Sequence, residues 1–139
     1  MRPEAEAWVA AAEVDYELTI RSAVPPEIEE GVCFHAQQCI EKYLKALLED
    51  AGRPIPRTHD LGTLAEMVAN LIPDLAPFEP DLKTIGPFAV AVRYPGADGL
   101  WDDRGDLKDE AELAARTMVA VRALIREHAG LADPPHLEH

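Results

Sequence analysis

The stretch from Val32 to Ala51 places an apolar row along one side of a helix, and this row constrains the fold more than any other feature. Its members recur every three or four residues, which is the period of an α-helix and not of a strand. A row of this length must be covered by other elements, so the core has to be built from helices packed against this one. The row consists of Cys33, Ala36, Ile40, Tyr43, Leu47 and Ala51, with Cys39 and Ala46 beside it.

The remainder of the chain also favours helices, separated by proline and glycine. β-Branched residues are few, while Ala, Glu, Leu and Arg are abundant, which favours helix throughout. We predict five helices, over about residues 3–22, 26–50, 61–72, 80–93 and 107–129. Gly86-Pro87 should kink or split the fourth helix, because proline removes a backbone hydrogen bond. The fold class is therefore all-α, an antiparallel four- to five-helix up-and-down bundle.

The helix ends carry their own signals. Thr58 or Asp60 can cap the third helix and Asp106 the last one, since short polar side chains accept hydrogen bonds from first-turn amides. Gly130 follows the last helix, where glycine is the usual terminator. The proline-rich segment 73–80 and the segment 95–105 are predicted to be irregular. We expect a single domain over residues 1–132, followed by a disordered tail at 133–139 that includes the start of a histidine-tag scar.

The charge balance narrows the classes of function. Thirteen basic and 26 acidic residues give a formal charge of -13, which opposes binding to a polyanion unless basic residues cluster locally. Cys33 and Cys39 are separated by about 9 Å of rise on one helix and cannot pair within it. Because the sequence shows neither a signal peptide nor an apolar run of membrane-spanning length, we expect a cytoplasmic protein that does not enter the membrane.

A polar row runs beside the apolar one on the same helix, formed by His35, Gln38, Lys42, Lys45 and Glu49. An amphipathic helix must have a polar face, so ordinary solvent exposure explains the row. Alternatively, its first four members form a positive, hydrogen-bonding strip that binds a nucleotide or a partner. A third row between the two contains Gln37 and Glu41, whose polar groups are expected to be half-buried and to need partners.

Three residues elsewhere could complete such a site, namely His59, Arg93 and Tyr94, because all lie at helix ends or in loops. The structural alternative is that His59 hydrogen-bonds the second helix while Thr58 or Asp60 caps the third. Arg93 could likewise satisfy helix-end carbonyls or pair with Glu41, although a planar guanidinium is also well suited to phosphate.

Several motifs together resemble the HEPN domain of bacteria and archaea. They are FHAQQCIEKYLKALL, a proline-containing loop, THDL and VRYPG, in this order over most of the chain. The resemblance implies a compact helical bundle, usually a homodimer, often encoded beside a minimal nucleotidyltransferase. Some members are toxins or metal-independent RNases, and others bind nucleotides or partners.

The ribonucleases of that family use an arginine followed by four to six residues and a histidine. Arg122 with His128 on the last helix matches this spacing, as does Arg53 with His59 in the loop. The resemblance places the motif on the last helix. There His128 would take the 2′-hydroxyl proton or protonate the leaving oxygen, and Arg122 would stabilise the phosphate charge. Six helical steps turn the two side chains about 120° apart, so a joint site needs local distortion or a dimer partner.

The sequence contains no zinc-like Cys/His spacing, no glycine-rich phosphate loop and no nucleophile in a recognisable setting. We expect neither a metal site nor a cofactor. The preferred interpretation is a HEPN-like module that acts with a minimal nucleotidyltransferase in a toxin-antitoxin-type or nucleotide-binding two-component system. The alternative is a metal-independent endoribonuclease that uses Arg122 and His128, with RNA as its ligand.

Overall fold

A computed structural model describes residues 1–91 and 107–132, and all regular secondary structure in these two ranges is helical. The prediction of an all-α bundle is confirmed. A 3₁₀-helix, Pro73–Phe78, lies between the third and fourth α-helices. The α-helices are α1 (Pro3–Ser22), α2 (Glu29–Asp50), α3 (Leu61–Val68), α4 (Glu79–Ile85), α5 (Phe88–Ala91) and α6 (Lys108–Ala129).

Helices α1 and α2 form an antiparallel hairpin that is tied at both ends. At the turn, the backbone N–H of Ile28 donates to the carbonyl oxygen of Ser22 over 2.8 Å. At the open end, the backbone N–H of Arg2 donates to Asp50 Oδ1, also over 2.8 Å. Because the start of α1 meets the end of α2, their side chains face each other along the full length of both helices.

Helix α2 is central, and α1, α3, α5 and α6 all pack against it. Its predicted apolar row is buried except for Ala51, which lies just past the helix end. The predicted row of α6 is buried as well, formed by Ala111, Ala114, Met118, Val121 and Ile125. Cys33 and Cys39 are free and buried, and burial raises the pKa of Cys33 to about 12. Both periodic patterns therefore identified the core-facing sides of their helices.

Two predicted boundaries were wrong. Helix α2 begins at Glu29 and not at the proline pair, because the chain first has to reverse direction between Ser22 and Ile28. Helix α3 ends at Val68, and the proline-rich segment after it is an ordered 3₁₀-helix that buries Leu75. Proline fits the first turn of a helix, where its missing N–H would have no partner.

The break at Gly86-Pro87 is confirmed, since α4 ends at Ile85 and α5 begins at Phe88. Gly86 packs closely, because a Cβ there would lie 3.4 Å from the backbone nitrogen of Leu61. At the start of α6 the cap position is Leu107, which makes no side-chain cap hydrogen bond. The predicted cap Asp106, the segment 95–105 and the tail 133–139 lie outside the described residues.

Asp60 is the N-cap of α3, as one of the two predictions stated. Its Oδ1 accepts from the backbone N–H of Gly62 over 3.0 Å, and its Oδ2 accepts from the Thr63 hydroxyl over 2.9 Å. We expect Asp60→Ala to lower the free energy of unfolding by about 1 kcal/mol, measured by urea denaturation. Asp60→Asn keeps an acceptor oxygen and should lose less. Equal denaturation midpoints for all three proteins would show that the cap does not stabilise α3.

Candidate functional site

The polar row of α2 does not face solvent as a continuous strip, because its members turn towards different neighbours. The first group is the Asp15 cluster, formed by Asp15 of α1 with His35 and Lys42 of α2. Asp15 is buried, and its two oxygens accept from His35 Nδ1 over 2.8 Å and from Lys42 Nζ over 2.6 Å. Both side chains in this part of the row therefore bind a carboxylate of the facing helix, and Lys42 supplies a positive charge to it.

The second group is the Glu41 cluster, formed by Glu41, Lys45 and His59. The Glu41 side chain is only 4% exposed, and its oxygens accept from Lys45 Nζ over 3.1 Å and from His59 Nδ1 over 2.8 Å. Lys45 is also buried and lies 5.6 Å from the ring centroid of Trp8, within cation–π range. Each oxygen of this buried carboxylate therefore has a hydrogen-bond partner.

His59 is held from two directions and yet stays accessible. Its carbonyl oxygen accepts from Gln37 Nε2 over 2.9 Å, while its ring donates to Glu41. The side chain is nevertheless 65% exposed. Because Nδ1–H is committed to a carboxylate, the neutral ring presents Nε2 as a free acceptor. His59 is therefore the most exposed of the predicted site residues on α2 and in the THDL segment. Its ring is held in place by the hydrogen bond to Glu41.

The glutamine pair of α2 is structural. Gln37 is buried and donates to the carbonyl oxygens of His59 and Gly86, which fastens α2 to the starts of α3 and α5. Gln38 donates to Gln37 Oε1 over 2.7 Å and so orients its neighbour. The predicted half-burial of Gln37 and Glu41 was an underestimate, since both are buried, and the expectation that they need partners is met.

The third group joins α1, α2 and α6 and is called the Glu13 cluster. Glu13 accepts two hydrogen bonds of 2.7 Å from Arg122, through Nε and Nη2, and one of 2.6 Å from the Tyr43 hydroxyl. The guanidinium of Arg122 also lies 3.9 Å from the ring centroid of Tyr16. Arg126 donates to the Tyr43 hydroxyl over 3.1 Å. The two hydrogen bonds from Arg122 to Glu13 form a bidentate pair, which is the strongest type of arginine–carboxylate pairing.

The pKa shifts agree with this geometry. Burial by itself would raise the pKa of Glu13, but hydrogen bonds from Arg122 and Tyr43 outweigh it and hold this pKa below its usual value. Hydrogen bonding to Glu13 raises the pKa of Arg122. Burial, followed by the hydrogen bond to Glu13, raises the pKa of Tyr43. The cluster is therefore an ionised carboxylate, a charged guanidinium and a neutral phenol at neutral pH.

A groove of about 550 Å³ opens beside His59. Gly62 forms part of its lining, and a Cβ at Gly62 would lie 3.0 Å from Lys83 Cγ, so a larger residue would displace the lysine. The groove carries charges of both signs and can accept hydrogen bonds as well as donate them. Its lining consists of His59, Asp60, Gly62, Thr63, Glu66, Lys83, Gly86 and Pro87.

The structure separates the predicted site residues. His35 and Lys42 meet at Asp15, whereas Lys45 and His59 meet at Glu41. Arg93 and Tyr94 lie outside the described residues. The Arg53 guanidinium turns to the Met67 carbonyl and Asn70, which leaves the Arg53–His59 spacing without a shared site. His128 is exposed near the end of α6.

Sequence reasoning missed the carboxylates that organise these clusters, above all Glu13 and Asp15 of α1. A signal for Asp15 existed: it lies between Ala12 and Thr19 at spacings of three and four, on the buried side of α1. An acidic residue inside an apolar stripe requires a cationic partner. Glu13 gave no comparable signal, because it lies at the edge of that stripe.

Two further observations concern the described residues alone. In residues 1–91 and 107–132, no group of three or more His, Cys, Asp or Glu side chains is arranged to hold a metal ion. Among the helices of the same ranges, none is both long and apolar enough to cross a bilayer.

Comparison with known proteins gives a family but no individual relative. Neither the curated proteins nor the solved structures contain a significant match to this chain. The family model described as HEPN domain matches residues 4–128. This match spans α1 through nearly all of α6, and thus every helix that contributes to the three clusters. The chain belongs to the HEPN domain family.

Proposed function

We propose that this HEPN domain is a binding module whose partner is a minimal nucleotidyltransferase, in a two-component system of the toxin-antitoxin type. We further propose that it works as a homodimer, because members of the HEPN family are usually homodimers. Interaction with the partner, and not chemistry on a phosphate, is the primary role. In a variant of this proposal, the module binds a small nucleotide instead of a protein.

The observation that carries the proposal is the neutralisation of the candidate phosphate-binding cations by the chain's own carboxylates. Arg122 is paired with Glu13, Lys42 with Asp15 and Lys45 with Glu41, all between 2.6 and 3.1 Å. A phosphate would have to displace these carboxylates, two of which are buried. Breaking such pairs is costly, so the clusters favour a role in fixing the shape of a contact surface.

The overall charge supports a protein partner with a basic surface. The formal charge of -13 repels a polyanion at long range and attracts a cationic protein. The exposed ring of His59 beside the mixed-charge groove supplies one polar contact point. An exposed imidazole that is held in place by a hydrogen bond to Glu41 is suitable for recognition, since little side-chain entropy is lost on binding.

Titration calorimetry with a minimal nucleotidyltransferase, taken from the neighbouring gene if that gene encodes one, and separately with ATP, tests the proposal. We expect heat with the protein, and a weaker affinity for His59→Ala, which loses the fixed ring but keeps the buried Glu41–Lys45 pair. Arg57→Ala, an exposed neighbour in the same loop, should bind like wild type. Heat with ATP alone would assign nucleotide binding, and no heat with either ligand would contradict the proposal.

A second candidate function is metal-independent RNA cleavage by Arg122 and His128. The exposure of His128 favours it, because an accessible imidazole can take part in proton transfer. Helix α6 runs without a break through both residues, which leaves the two side chains about 120° apart. A joint site would therefore combine residues from both copies of the homodimer.

Incubation of the purified protein with RNA tests this second function. We expect His128→Ala to abolish cleavage if the motif is catalytic, whereas Glu127→Ala, a change at the neighbouring exposed position, should leave cleavage unchanged. Cleavage that is equal in wild type and His128→Ala would rule out this histidine as the acid or base.

A further inference from the structure

A second groove lies between the α1–α2 turn and the first turns of α6. Its volume is about 470 Å³, and its apolar lining comes from Ala23, Val32, Ala111 and Ala115. These side chains are small, so the groove is a shallow channel along α6. No residue of the three polar clusters lines this groove, and neither proposed function involves the groove.

Three large apolar side chains that lie next to lining residues, along the chain or one helical turn away, are exposed. Val24 and Ile28 in the turn are 58% and 59% exposed, and Val119 is 47% exposed. Val24 follows the lining residue Ala23, Ile28 lies between two lining glutamates, and Val119 is one helical turn beyond Ala115 on the same side of α6. Apolar surface gathered around a groove is characteristic of an interaction site.

The polar members of the lining are mostly acidic. Glu27, Glu29 and Glu112 contribute three carboxylates, while Lys108 contributes one ammonium group. Glu29 is fixed, because its Oε2 accepts from the backbone N–H of Leu107 over 2.8 Å. The rim therefore carries a local negative charge, in addition to the negative charge of the whole chain.

We propose that this acidic-rimmed channel receives a basic amphipathic helix of the partner protein; the inference rests on the proposed function and names its docking surface. From Lys108 to Val119 the channel and its apolar extension cover about 16 Å of α6, long enough for apolar anchors spaced like those of a helix lying in a groove. Lysine or arginine beside those anchors would meet the glutamates at the rim. A second copy of the chain fits less well, because it would bring one acidic rim against another.

The probe for this proposal is a short synthetic helical peptide with leucine at heptad spacing and lysine at its other positions. Its binding is followed by methyl NMR of the full chain. We expect shifts at Val24, Ile28 and Val119, and an affinity that falls as salt is added. The matched peptide with glutamate in place of lysine should not bind. Equal binding of the two peptides would overturn the proposal.

Substitutions on α6 test whether the basic peptide binds in the channel. Val119→Asp and Glu112→Lys, both at exposed positions of α6, should each weaken binding of the basic peptide by about tenfold. Val14→Asp and Glu127→Lys make the same chemical changes at exposed positions outside the channel and should bind like wild type. Equal weakening by these control variants would mean non-specific attraction and would overturn the proposal.

Two further outcomes would also overturn the proposal that the channel receives a basic helix. If Val119→Asp converts a dimer to a monomer in sedimentation experiments, a second copy occupies the channel. If the nucleotidyltransferase binds Val119→Asp as tightly as wild type, the channel is not its docking surface although the proposed function stands. Failure of the nucleotidyltransferase to bind the wild-type chain, in contrast, rejects the proposed function itself.

Discussion

Glu41→Ala should lower the free energy of unfolding by about 3–5 kcal/mol, the cost of leaving a buried charge without its partner. The Lys45 ammonium would remain buried beside Trp8 with no carboxylate to accept its hydrogen bond. The ring of His59 would lose its anchor at the same time. Chemical denaturation monitored by circular dichroism gives the difference in unfolding free energy.

Two controls separate the charge effect from a simple loss of atoms. Glu66→Ala removes the same side chain from an exposed position of α3 and should change stability by less than about 0.5 kcal/mol. The double variant Glu41→Leu with Lys45→Met replaces the pair by apolar groups and should recover most of the loss. A loss below about 1 kcal/mol for Glu41→Ala would show that Lys45 reaches solvent when its partner is removed.

The second large effect is expected at Glu13. Glu13→Gln removes the charge that receives two hydrogen bonds from Arg122 and one from Tyr43. Because this cluster is less buried than Glu41, the expected loss of unfolding free energy at pH 7 is about 2–3 kcal/mol. Glu17→Gln is the matched control, since Glu17 lies one turn further along α1 and its ion pair with the exposed Arg21, at 3.5 Å, is longer than the hydrogen bonds between Arg122 and Glu13.

The direction of the Glu13 pKa shift adds a pH dependence. Its pKa is lower in the folded chain than in the unfolded chain, so the unfolded state binds the proton more readily. The contribution of Glu13 is therefore complete above the ordinary glutamate pKa and is lost as the pH falls through the lowered folded value. The stability difference between wild type and Glu13→Gln should shrink between pH 7 and pH 3. A constant difference would contradict this linkage.

These two variants also bear on function. Glu13 pairs with the Arg122 guanidinium that RNA cleavage would require. Glu41 fixes the His59 imidazole that we propose as a contact for the partner. A Glu13→Gln protein that remains folded offers Arg122 to a phosphate, whereas Glu41 variants release His59. Measuring partner binding and RNA cleavage with both variants therefore compares the two candidate functions on one scaffold.

Local sequence patterns predicted most of the helices and the buried sides of α2 and α6. The apolar rows of α2 and α6, the break at Gly86-Pro87, the cap at Asp60 and the terminator Gly130 follow from local rules, because each depends on residues within one or two turns. The start of α2 could not be predicted in this way. It depends on where the chain reverses so that α1 and α2 can pack, and no local signal marks Glu29.

The roles of the polar residues, in contrast, depend on how the helices pack against one another. Periodicity placed His35, Lys42 and Lys45 on one row, but it could not name their partners. Lys42 meets a carboxylate 27 residues away, and Arg122 meets one 109 residues away. The physical reason is that a helical period fixes the direction of a side chain, whereas an ion pair requires a second group that only the packing of another helix brings within reach.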